Sequence, residues 1–464
     1  MTLLTRKFLF FFSVILFLVL APLLVLRSAG YRIHFQTLRL LKTGALSVSS
    51  TPDRADVELA GEGTFSSTPT LIPQLFPGIY TATVTKDHFI PWTQTIRVES
   101  GLTTFLHDIP LYRAEKAAPV RETKDFIFAD PIRRRLFRFV RSAGWTECWS
   151  EKADGSEAKL FARIPLTVNE STSIRLSSGG GWVLLSSRPA PLLSQDGFII
   201  RVDTGESIRP RDIEPLAQNV PPAAAWDPSQ EGMLFLRPPD AGFEGGRRSW
   251  KRLDLSAQEL VPPEPISEGP NDFTPGWSRG SAVYGTVSAP ENRTALVRIE
   301  HQTQTFLSYL PQGFEPVSSL VKTDGSHLLL QSASGRSALL FDENQPDEPP
   351  TRINGTLSTI HPTNPNVYAV TDGLEIGTFD FSTGSTGTWL RLGTPIKDIV
   401  WDAGGAAIIY AQNDKISAVD TAAGTPVITP LADGNVQAIW VEKNILWAVL
   451  KNGDKTTVVK RRLR

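Results

Sequence analysis

Residues 401–420 read WDAGGAAIIYAQNDKISAVD. A turn rich in Asp and Gly leads into an unbroken apolar run, Ala407-Ile408-Ile409-Tyr410. A short polar turn follows, then Ile416-Ser417-Ala418-Val419, which closes at Asp420 with Gly424 soon after. A short apolar run bounded by turn residues reads as a strand buried on both faces. Asp caps its own backbone where a strand enters a tight turn, and Gly accepts the left-handed φ that such a turn needs. The stretch is therefore one unit of antiparallel sheet.

The unit recurs. Apolar strands equivalent to 407–410 stand at 136–140, 182–185, 233–236, 282–284, 328–330, 367–370 and 445–449, and following strands end at Asp in 197–203 and 376–380. The interval is about 40–50 residues, the spacing of propeller blades. The turns at 226–229, 322–326 and 401–405 resemble the Ser-Pro-Asp-Gly turn of Tol-Pal-type propellers, and that resemblance implies the same fold. The pairs Trp226-Asp227 and Trp401-Asp402 do not mark the WD-repeat class, because they open turns and the chain has no Gly-His dipeptide. A β-propeller over 115–464 is expected, with eight blades and seven as the alternative. After Ile439 there is room for three strands only, so a strand from 118–124 is expected to complete the last blade and remove an exposed edge.

At the other end of the chain, Phe8–Leu26 reads FLFFFSVILFLVLAPLLVL without a charge. At about 1.5 Å per residue this run spans a bilayer core. It is too long for a signal-peptide core, and Arg27 interrupts the small-residue site that would follow. The sequence thus predicts a transmembrane helix over 8–26 with a cytoplasmic N-terminus, 1–7. Arg6 and Lys7 favour that orientation. The bare count of Arg27, Arg32, Arg39 and Lys42 opposes it, but large domains translocate largely regardless of charge. Tyr31, Phe35, Leu38 and Leu41 recur at helical spacing among these basic residues, predicting a basic juxtamembrane helix over 27–42 that lies near lipid headgroups.

Between anchor and propeller, alternating runs at 45–48, 57–59, 80–84 and 95–98, with turns at Pro52-Asp53 and Pro77-Gly78, predict a small β-sandwich over 43–112. Gly44, the run Ser50-Thr51-Pro52-Asp53-Arg54-Ala55-Asp56-Val57, Thr68-Pro69, Pro77-Gly78-Ile79-Tyr80, His88-Phe89 and Trp92 resemble the PEGA domain. The family's Pro-Glu-Gly-Ala turn reads Pro52-Asp53-Arg54-Ala55 here, differing at two of four letters. The resemblance implies an extracytoplasmic module of prokaryotic surface proteins with a structural or adhesive role and no catalytic residues. Trp92 and Tyr80 read as core, and His88 as a turn residue.

Composition bounds the function. The chain of 464 residues carries a net charge of −1, but residues 1–42 hold six Lys or Arg and no acid, which leaves the body at −7. A mildly acidic body gives no support for nucleic-acid binding, which would want a basic face, so no nucleic-acid partner is expected. Cys148 is the one cysteine, so neither an intrachain disulfide nor a multi-cysteine metal site can form. No nucleophile elbow, zincin helix or phosphate loop is present, and the six histidines show no ligand spacing. Gly179-Gly180-Gly181 could cradle an anion but stands where a turn belongs, and the acidic stretch Asp342, Glu343, Asp347, Glu348 reads as a solvated loop. No catalytic, cofactor or metal residue is therefore expected.

The apolar segment, together with what the PEGA resemblance implies, leads to the expectation of a membrane-anchored cell-surface protein with a non-catalytic binding or scaffold ectodomain, taking an envelope protein or a cell-wall glycan. The alternative is an envelope hydrolase or lyase using the propeller's central funnel. Long Pro-rich connections lie at 210–222, 238–248 and 262–275, and Arg237, Phe243, Arg247, Arg248 and Trp250 gather guanidinium and aromatic groups in one of them. Such groups anchor interfaces, so this loop is the candidate binding loop.

Overall fold

The computed structural model describes residues 3–464 except 35–38, 62, 66, 189–193, 195, 214–222, 228, 238–249, 257–263, 266–272, 280, 301–302, 313, 315, 318–326, 333–336, 343–349 and 423. It is nearly all β, with one long helix, Leu3–Ser28. This helix is the single described one long and apolar enough to cross a membrane, and it buries nothing against the rest of the protein. Pro22 lies inside it. Gly30, at φ +83°, ends it, with its N–H on the Arg27 carbonyl.

The helix expected to continue through residue 42 is a hairpin instead. Tyr31–His34 pairs with Arg39–Lys42, Tyr31 opposite Lys42 and Ile33 opposite Leu40. Tyr31, Ile33 and Leu40 fit a period of two as well as a helical one, and aromatic and β-branched side chains favour the strand. Tertiary contacts then decide. Thr43 grips the Gly30 carbonyl through N (2.7 Å) and Oγ1 (2.6 Å), closing the hairpin's base. Arg32 reaches the Gln74 carbonyl (2.8 Å) and stacks over Phe76.

A two-sheet sandwich follows. In one sheet Gly44–Thr51 lies between antiparallel Thr70–Leu75 and parallel Thr103–Pro110. The other runs Gly63–Phe65, Asp56–Leu59, Gly78–Thr85, Trp92–Val98. Alternation sends Leu46 and Val48 inward to meet Val57, Leu59, Ala82 and Val84. Each fully buried aliphatic side chain contributes about 1.5–3 kcal/mol. Gly44 is required by close approach: a Cβ there would lie 2.4 Å from the Glu99 carbonyl oxygen.

Downstream, the described residues form eight four-stranded antiparallel sheets, I to VIII in chain order, at 126–164, 173–208, 223–265, 274–309, 316–354, 356–391, 398–433 and 436–462. All eight apolar strands picked out in the sequence are second strands of these sheets. Sheet VIII takes its fourth strand, Ala118–Thr123, from before sheet I, paired to Lys455–Arg462. The first strands of sheets VI, VII and VIII touch in succession. Successive sheets share apolar clusters, and sheet VIII packs on sheet I through Trp440, Trp447 and Val458 against Ile127 and Leu136. Arg121 of the borrowed strand pairs with Glu151 of sheet I (2.5 Å), a carboxylate nearly without exposure that Arg138 also holds. This is a β-propeller.

Candidate functional site

In an antiparallel four-stranded blade the turns alternate between two faces. First-to-second and third-to-fourth turns share one face. Second-to-third turns and the links between blades share the other. In this protein the two faces have different contents.

The first face meets the sandwich. Ala422 and Val427, from the third-to-fourth turn of sheet VII and the strand after it, pack on the sandwich core, and Gln94 reaches Thr425. Trp92, buried as expected, turns its Nε1 to the Asp420 carboxylate (3.3 Å). Tyr112 passes fully into the core between sheets VII and VIII, its hydroxyl 3.5 Å from Asp402 Oδ2. Arg464 pairs with the same carboxylate, and Arg461 donates to the Arg113 carbonyl (2.6 Å). Burial pushes the Asp420 carboxyl up to about 6. Burial also raises Asp402, with Arg464 opposing it, and lifts the Tyr112 hydroxyl well above its usual value, Asp402 adding to the effect.

The same face stitches blade to blade. The Gly179–Gly181 stretch is a turn, and it does cradle an anion: the Glu231 carboxylate of sheet III. Gly181 N–H donates to it at 2.8 Å, Ser178 Oγ at 3.2 Å, and Gly179 N–H also contacts it. Asp227 receives Ser229 N–H (2.9 Å) and Ser278 of the next sheet. Trp226 and Trp401, at the ends of first strands, donate Nε1 to carbonyls of the preceding sheet, Arg175 (3.1 Å) and Thr359 (3.2 Å). The Trp-Asp pairs are therefore blade joints.

The opposite face holds a solvent-open cavity of about 720 Å³, lined by Glu170, Lys397, Asn413, Asn435, Gln437 and Lys451. Asn413 lies in the second-to-third turn of sheet VII, and Lys451 stands next to the end of the second strand of sheet VIII. Lys397, Asn435 and Glu170 lie in links that lead into first strands. Gln437 is exposed on the first strand of sheet VIII. Lys397 Nζ donates to the Val436 carbonyl (2.9 Å) and Asn435 Oδ1 (3.4 Å), and Lys451 pairs with Glu170. Beside the mouth, Asp398 accepts the Ile439 N–H (3.3 Å), and burial pushes it up to about 6. No sequence motif marks this mouth, because its residues come from links far apart along the chain.

Of the candidate binding loop, Phe243, Arg247 and Arg248 lie outside the described residues, as does the side chain of Arg237. Trp250 is buried with Phe235, Phe273 and Val283 between sheets III and IV. Of the acidic stretch, 343–349 lies outside the described residues. Among the described residues no group of three His, Cys, Asp or Glu is placed to hold a metal.

Residues 43–111 match the PEGA domain family. No curated protein matches the chain. Among solved structures, the chain is similar to BamB from Moraxella catarrhalis (12% identity, covering 74% of this chain and 99% of that one, TM-score 0.39). It is also similar to Sqt1 from Saccharomyces cerevisiae (10%, 75% and 99%, 0.42) and to the Cps50 (Swd1) β-propeller domain from Myceliophteria thermophila (10%, 74% and 99%, 0.39). Beside the strand order these likenesses add no argument about chemistry.

Proposed function

We propose that the chain is a single-pass membrane protein of the cell surface whose ectodomain binds a protein or cell-wall glycan and turns over no substrate. The observation that carries this reading is the division of faces. The PEGA module, which follows the apolar helix and hairpin, occupies one face of the propeller, and the polar mouth opens on the other. With residues 8–26 spanning the membrane and 1–7 in the cytoplasm, Arg27, Arg32, Arg39 and Lys42 sit at the headgroups and the mouth faces away from the bilayer. Eight blades are the number that the sheet order supports. The two carboxylates raised to about 6, Asp398 and Asp420, are held in blade and module contacts, which favours binding over turnover. The loop carrying Arg237, Phe243, Arg247 and Arg248 adds a second contact, with Trp250 as its buried root.

The test is protease treatment and cross-linking of intact cells or spheroplasts. External protease should digest the body, and carbonate should not release the chain. A photo-cross-linker at Asn413 should capture an envelope component that one at Ile132, on the sandwich-side face, does not. Arg247→Ala with Arg248→Ala should weaken that capture, with Trp250 left intact to keep the fold. A body protected until lysis overturns the orientation, and equal capture from both faces overturns the mouth.

A further inference from the structure

The mouth is richer in donors than in acceptors. Lys397 and Gln437 both donate to Asn435 Oδ1, at 3.4 and 3.3 Å. This occupies the oxygen and leaves Asn435 Nδ2 without a partner among the described residues, as is the Asn413 carboxamide. Lys451 is set into the wall, its side chain 25% exposed, while Glu170, 70% exposed, leans on it from solvent across 281 residues of sequence. An ion pair with so exposed a partner is worth about 1 kcal/mol or less, so another carboxylate can take its place. The two lysines outnumber the one acid. Carboxamides match the alternating N–H and C=O groups of a peptide, whereas among the described residues no aromatic ring lines the cavity to carry the C–H face of a sugar.

We propose that the mouth binds a carboxylate-bearing peptide segment of a partner protein, an Asp, Glu or C-terminal carboxylate displacing Glu170 from Lys451 while Asn413, Asn435 and Gln437 hold the peptide backbone. This rests on the binding reading above and narrows its ligand to peptide. The intramolecular carboxylate marks the place the ligand's carboxylate takes, so removing Glu170 and removing Lys451 act in opposite directions.

The experiment uses the full chain in phosphatidylcholine nanodiscs. Its probes are a fluorescein-labelled decapeptide with two aspartates, a twin with asparagines in their place, and chitotriose. The aspartate peptide should bind at least ten-fold tighter than its twin, and less so at high salt. Lys451→Gln should abolish that difference. Glu170→Gln should tighten the aspartate peptide several-fold, a gain that misfolding cannot produce. Equal binding of the two peptides, binding of neither, or a Glu170→Gln chain that binds no tighter overturns the proposal. Binding of chitotriose alone also overturns it, and leaves the surface-binding reading standing. That reading fails separately, through the two-face cross-linking.

Discussion

Asp420 shows what burial does to one side chain in this protein. It stands 2% exposed between the propeller and Trp92, with its carboxyl pushed up to about 6. The folded form therefore holds a proton that the unfolded form, titrating near 4, has released. Stability is full below about pH 4, falls as pH rises through about 6, and carries the whole cost at pH 7. Asp420→Asn keeps an acceptor for Trp92 and cannot ionise. Its melting temperature should equal or exceed the parent's at pH 7.5 and lose the advantage at pH 5, for a linkage of at most about 3 kcal/mol. Parallel pH profiles for the two chains would refute this. Cys148 tests burial another way. Its thiol lies in the core between sheets I and II and is pushed up to about 12. Since the thiolate is the reactive form, a maleimide should leave the native chain unlabelled at pH 8 and label it fully in urea.

At the scale of the element, local pattern and tertiary contact divide the decision. The eight second strands are legible because each is a short apolar run between turn residues. The hairpin at 31–42 is not, because its few apolar residues satisfy two periods and the Thr43 and Arg32 contacts choose between them. Gly44 is an element-scale constraint: Gly44→Val drives a side chain into the Glu99 carbonyl and should cost about 1–3 kcal/mol in denaturant unfolding. The tryptophans that end first strands are another. Trp401→Phe leaves the Thr359 carbonyl without its indole donor and should cost about 1–3 kcal/mol. Trp389→Phe, on a half-buried ring with no such bond among the described residues, serves as the control.

The whole molecule depends on contacts between distant stretches. Closure of sheet VIII on sheet I uses a strand that precedes the first blade, clamped by Arg121 on Glu151. Arg121→Met should destabilise the chain by about 2 kcal/mol. The loss is less than for an isolated buried pair, because Arg138 still faces Glu151, and hydrogen exchange should rise first in 118–123 and 455–462. By itself the sequence determined the apolar helix, the PEGA-like strands, the repeat, the eight buried strands and the need for a borrowed one, since each is a matter of local periodicity and turn chemistry. Only the tertiary structure decided the rest. It turned the juxtamembrane segment into a hairpin, seated Trp92 on Asp420, made Gly179–Gly181 the cradle for Glu231, buried Trp250 and gathered Glu170 with Lys451 at one mouth. Those pairings join residues tens to hundreds of positions apart, brought together by ring closure, and no local pattern carries that information.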